Sequence, residues 1–122
     1  MAATEDLKRI AEVEFAEIVK ETFFIDYKVR IILIDNSFID VHLSQRIPDK
    51  FSFHWECMSS CSGTLYRYYN FPDRKWQAVS TYPYHFHDGL QDSVKSSPFP
   101  LNAIDGFRAF MEFMSKNKRK IR

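Results

Sequence analysis

The sequence predicts an α+β fold: an antiparallel meander of four or five strands with one helix at each end of the chain, both packed on one face. Three observations predict it. Apolar residues recur at helical spacing near both termini, they alternate with period two from about Phe23 to Phe86, and turn residues separate successive alternating runs. With 122 residues, 45% of them hydrophobic, the chain reads as one domain over 1–122 that can bury a core without metals or disulfides.

The first helix is predicted from Thr4 to about Lys20. Thr4 is a candidate N-cap, Glu5 and Asp6 suit the positive end of the helix dipole, and Leu7, Ile10, Val13, Phe15, Ile18 and Val19 form an apolar side. The run FFIDYKVRIILI then alternates and reads as one half-buried strand, with Phe23, Ile25, Tyr27, Val29, Ile31 and Leu33 on one side. Asp35, Asn36 and Ser37 supply turn chemistry, and SFIDVHLS returns as the second strand of a hairpin. KFSFHWEC and TLYRYYN alternate in the same way around the turn-rich MSSCSG. A fifth strand is predicted from about Gln77 to Phe86, where Pro83 confines it to an edge or a bulge. DGLQDSVKSSPFP reads as a loop. In the last segment Ile104, Phe107, Met111 and Met114 recur at three and four, and the basic residues from Lys116 to Arg122 sit where the helix dipole favours them. Two helices cover only one face of such a sheet, which leaves the other polar and open.

Composition narrows the function. The net charge of +1 is not that of a non-specific nucleic-acid binder, so any RNA contact must come from a local patch. MAATEDLKRIAEVEF carries no apolar leader core, no run reaches membrane-spanning length, and two cysteines are too few for a disulfide scaffold. A cytoplasmic protein without membrane contact is expected.

Alternation throws Lys28, Arg30, Asp40, His42, His54, Glu56 and Arg67 to the polar side. If His85 and His87, two apart and so about 7 Å from each other along a strand, share that side, all four histidines collect beside two arginines. That set suits RNA cleavage. One neutral imidazole takes the proton of the ribose 2′-hydroxyl, a protonated one gives a proton to the departing 5′-oxygen, and an arginine stabilises the charge at phosphorus. Histidine titrates near pH 6.5, so both forms are populated at neutral pH and the scheme needs no metal or other cofactor. The aromatics Trp55, Tyr66, Tyr68, Trp76, Tyr82 and Tyr84 offer faces on which unpaired bases can stack, although such residues also build cores.

Two other readings compete. Cys57 and Cys61 together with His85 and His87 have the chemistry of a tetrahedral zinc site, but Cys57 alternates toward the apolar side and only one compact cysteine pair exists. A non-catalytic module that binds a protein partner through its open face or edge strand accounts for the near-neutral charge, with His42 and His54 as solvated polar residues.

The stretch from about Phe51 to Met114 resembles the TumE family, small toxins of toxin–antitoxin pairs. The likeness is carried by FSFHWE, by LYRYYN ending in Asn70, by the proline-led His-x-His of TYPYHFHDG and by the closing amphipathic helix. It implies a growth-inhibiting toxin that acts on RNA as a ribonuclease and is neutralised by a DNA-binding antitoxin. His54, Arg67, Asn70, His85 and His87 match the motif. Family members commonly carry an aspartate where this chain has Tyr69 and a Pro-His step where it has Phe71-Pro72-Asp73, which raises Asp73 and Asp88 as substitutes. On this reading His85 and His87 are the general base and acid, Arg67 stabilises the transition state, His54 assists, and Asn70, Tyr68 and Tyr84 hold the substrate.

Overall fold

The computed structural model describes residues 4–44, 46, 50–56, 65–70, 79, 81, 83–89 and 94–120. Helix α1 (Thr4–Glu14) opens the chain and is followed by strands β1 (Val19–Ile25), β2 (Lys28–Leu33), β3 (Phe38–Leu43), β4 (Phe51–Glu56), β5 (Leu65–Tyr69), β6 (His85–Gly89) and β7 (Val94–Ser96); helix α2 (Ala103–Lys120) closes it. The strands form one antiparallel sheet in sequence order. The α+β class, the meander and the terminal helices are those predicted, but the sheet has seven strands rather than four or five.

The two additional strands have local causes. Helix α1 stops at Glu14, not Lys20, because the amides of Ile18 and Val19 turn back onto the Phe15 carbonyl. The β-branched and aromatic run that follows then pairs as β1. The predicted single strand Phe23–Ile34 is in fact a hairpin. Asp26 adopts φ 56°, a left-handed conformation that aspartate tolerates, and Ile25 pairs with Lys28 across a two-residue turn. That turn reverses the alternation. Phe24 and Thr22 fall on the helix side, where Lys8 lies over the Phe24 ring and Thr22 bonds Glu12, while Phe23 joins Arg30 on the other face. Strand β6 begins only at His85, later than the predicted Gln77, and β7 forms inside the predicted loop.

The second hairpin turn follows its sequence chemistry. Asn36 has φ 72°, and the Asp35 carboxylate accepts from both the amide and the hydroxyl of Ser37. The same hydroxyl accepts from the buried Trp55 indole at 3.1 Å, which satisfies that polar group inside the core.

One core fills the helix side. Leu7, Ile10 and Ala11 of α1 belong to the same cluster as Val29, Ile31, Ile39 and Val41, and α2 adds Phe107, Phe110, Met111 and Met114 beside Phe51, Phe53, Tyr68 and Phe86. Asn102 caps α2 by accepting from the Asp105 amide at 2.9 Å. At Gly106 an added Cβ would stand 2.9 Å from the Pro100 carbonyl oxygen and 3.2 Å from the Tyr68 ring, so glycine permits the close approach of α2. Arg108 of α2 makes a two-pronged bond to Glu14 at the end of α1, tying the helices together.

Candidate functional site

Register brings the polar residues into two rows across the face away from the helices. In the first, Arg30 pairs with Asp40, Asp40 with His54, His54 with Arg67, and Arg67 with His87. The second, two residues along each strand, runs from His42 to Ser52, Tyr69 and His85. All four histidines therefore share one face, since no bulge interrupts these pairings. Side chains directly opposite on neighbouring strands lie about 5 Å apart at Cβ, so Arg67 has an imidazole on each side.

Hydrogen bonds fix the chemistry of the first row. Asp40 takes Arg30 in a two-pronged bond, Nε to Oδ1 at 2.8 Å and Nη2 to Oδ2 at 2.9 Å, with Lys28 Nζ at 3.3 Å from Oδ2. Burial pushes the Asp40 carboxyl up, but the bonds and charges of Arg30 and Lys28 outweigh it and hold the group below its ordinary value. Next along, Arg67 Nε donates to His54 Nδ1 at 2.9 Å, so the His54 proton is on Nε2, which gives it to Glu56 Oε1 at 2.8 Å. His54 is thus held in one tautomer between a cation and a carboxylate. A cleft of about 490 Å³ opens over these side chains, from Lys28 and His42 to Glu56 and Arg67.

The His85 and His87 end of the face is closed rather than open. Both residues are 0% exposed, whereas the sequence placed them on an open surface. His85 Nδ1 donates to the Pro83 carbonyl at 2.8 Å, which assigns its proton to that nitrogen. His87 Nε2 lies 3.0 Å from the Tyr69 hydroxyl. The Tyr69 ring stacks parallel to His87 at 5.4 Å between centroids and meets His85 edge-on at 4.1 Å, and the two imidazoles are themselves 5.5 Å apart. Tyr69, partly exposed, also lies under the Arg67 guanidinium at 5.7 Å.

The remaining predicted residues sit elsewhere. Tyr68 is buried on the helix side, where its hydroxyl donates to the Pro100 carbonyl at 3.0 Å and burial raises its pKa to about 12. Tyr84 packs against the same core, near Phe51 and Tyr68. Trp55 and Tyr66 are core as well. Asn70 is buried at the end of the β4–β5 pair, where its side-chain oxygen accepts from the Phe51 amide at 2.9 Å. Asp88 faces the helix side, pairing across the sheet with Tyr66 and bonding Lys95, so it does not stand in for an aspartate beside the histidines. Cys57, Cys61, Asp73, Trp76 and Tyr82 lie outside the described residues, and with them both cysteines of the alternative zinc set. Among the described residues, no three His, Cys, Asp or Glu side chains are grouped to hold a metal ion.

Sequence reasoning missed the parts played by Tyr69 and Glu56. Both alternate with Arg67 and His54 onto the polar face, and that parity was the available signal; what period alone does not give is which neighbours bond.

A family model described as toxin TumE matches residues 2–118. The chain belongs to the TumE toxin family. No curated protein and no solved structure matches it. Membership in the TumE family gives the chain a toxin's role and implies an antitoxin partner. Among the described residues no helix is long and apolar enough to cross a membrane. The TumE match covers both rows of polar residues, together with the hairpin and helix that precede them.

Proposed function

We propose that this TumE-family toxin arrests growth as a metal-independent endoribonuclease whose site is the polar face of β3 to β6. The observation that carries the reading is the row His54, Arg67, His87, in which a guanidinium is flanked by an imidazole on each neighbouring strand. Arg67 spends Nε on His54 and meets no other polar partner for its Nη groups among the described residues, so they are available to a phosphodiester. A guanidinium presented in this way binds two phosphate oxygens and strengthens its hold as charge accumulates on them in the transition state. His54, fixed by Glu56, steers the guanidinium. His87 supplies the base, His85 packs beside it and against Tyr69, and Asn70 fixes the end of β4 against β5. The cleft beside Arg67 is lined by polar and charged side chains, which suits a strand of RNA.

The test is induction of wild type and of a His85→Ala/His87→Ala variant at equal expression, with growth and RNA integrity followed in the same cells. Arrest and RNA loss with the wild type alone support the reading; equal behaviour removes it.

A second reading rests on different residues. Phe24, Tyr27 and Ile34 are exposed around β1, which forms one end of the sheet, and an exposed edge of this kind suits addition of a partner strand. A non-catalytic toxin that acts by binding protein would keep its effect without the histidines and lose it on Phe24→Ser/Tyr27→Ser substitution.

A further inference from the structure

The geometry points to Tyr69 as a catalytic residue of the proposed RNA cleavage: we propose that its hydroxyl carries the proton between the ribose 2′-hydroxyl and His87. The proposal deepens the ribonuclease reading and rests on it.

A base must reach the proton it removes, directly or through one bridging group. His87 is fully buried, so its Nε2 exchanges protons with a ligand on the sheet face through what touches it, and the Tyr69 hydroxyl is 3.0 Å away. Of the three rings in contact, Tyr69 alone is partly exposed. It also stands beside the phosphate-binding group. Arg67 and Tyr69 are two apart on β5, point to the same face and lie in contact, the guanidinium 5.7 Å over the phenol ring. A phosphodiester held on Arg67 therefore presents its neighbouring ribose to Tyr69.

The step balances as follows. The 2′-oxygen–hydrogen bond breaks as the proton passes to the Tyr69 oxygen, and the hydroxyl's own proton passes to His87 Nε2. The freed electron pair on the 2′-oxygen forms the new bond to phosphorus. The bond from phosphorus to the 5′-oxygen breaks with its pair on that oxygen, which takes a proton from solvent water. Tyr69 ends neutral, and His87 returns its gained proton through the same Tyr69 hydroxyl to the hydroxide left in solvent, which resets the site.

The experiment compares wild type, Tyr69→Phe and His87→Ala, purified and matched by thermal melting. Cleavage of a fluorogenic single-stranded RNA is followed through a pH series around the histidine range near 6.5. Binding of the same oligonucleotide with 2′-O-methyl riboses, which cannot be cut by this route, is measured by fluorescence anisotropy. The expected result is a kcat at least about 100-fold lower for Tyr69→Phe, the scale of a positioned proton-transfer group. KM, analogue affinity and melting temperature should stay at wild-type values, and the pH limb lost in His87→Ala should be lost in Tyr69→Phe as well. A Tyr69→Phe protein that cuts as fast as wild type overturns the proposal while leaving the ribonuclease reading intact. Loss of analogue binding in step with kcat also overturns it, because the hydroxyl would then hold RNA rather than move a proton. If pure wild type cuts no RNA, the ribonuclease reading falls first and the proposal with it.

Discussion

Arg30 and Arg67 occupy the same cross-strand row on the same face of the sheet, yet their guanidinium groups end in opposite situations. Arg30 gives two parallel bonds to Asp40 and lies 4.2 Å over the Phe38 ring, so its charge and its planar face are both used inside the protein. Among the described residues Arg67 gives one bond, to a histidine that Glu56 holds from behind. The first arrangement neutralises a partly buried carboxylate and ties β2 to β3. Among the described residues the second holds a cation in place without matching it to an anion, which is the state a phosphate-binding group needs before its ligand arrives. Similar residues at equivalent register positions are thus divided between fold and chemistry by whether the neighbouring strand supplies a carboxylate or an imidazole.

The largest expected effect tests the Arg67 side. Arg67→Gln should lower RNA cleavage by about 100- to 1,000-fold, as loss of one preorganised donor to a developing charge does, while its melting temperature stays close to wild type. Equal cleavage would erase the distinction between the two arginines. Asp40→Asn should do the reverse: activity per folded molecule persists, and urea unfolding loses about 1–2 kcal/mol. That value is at the low end for charge-assisted bonds because solvent screens this part-exposed pair.

Acid titration sharpens the same point. Because the folded Asp40 carboxyl is held below its ordinary 3.8, the stability it contributes is complete above that value and is lost as pH falls through the lower folded value. The urea midpoint of wild type should therefore drop more steeply with acidification in that window than the midpoint of Asp40→Asn. Parallel curves would mean that the Arg30 clamp contributes nothing to folding. The smallest effect belongs to the stacking partner. Phe38→Leu removes the ring under Arg30 and should cost about 0.5–1 kcal/mol in the same unfolding measurement, with cleavage unchanged.

How much of this was legible in the residues follows from what alternation can and cannot carry. Within β2, β3, β4 and β5 the period of two assigned the side chains to their correct faces, because one face of those strands is buried and register there is strongly specified, whereas for His85 and His87 it offered that face only as a condition. The polar cluster could therefore be read before any coordinates. The alternation failed at Asp26-Tyr27, where a two-residue turn carries no glycine or asparagine to mark it and the apolar run continues on both sides. Phe15, Ile18 and Val19 fit a helical stripe equally well, so the end of α1 left no signature in the pattern. Burial of the histidine pair is also invisible to period, since the same parity describes an open position and a covered one. The bond from Tyr69 to His87 depends on packing between strands that sequence spacing leaves undetermined.

The most direct test of the account sets the two arginine environments against each other on one substrate. Wild type, Asp40→Asn and Arg67→Gln, each purified, confirmed folded and treated with a metal chelator, are given the same single-stranded RNA. The account predicts cleavage by wild type and Asp40→Asn and a loss of about 100-fold or more in Arg67→Gln. Equal cleavage by all three, or a loss in Asp40→Asn as deep as in Arg67→Gln, would contradict it.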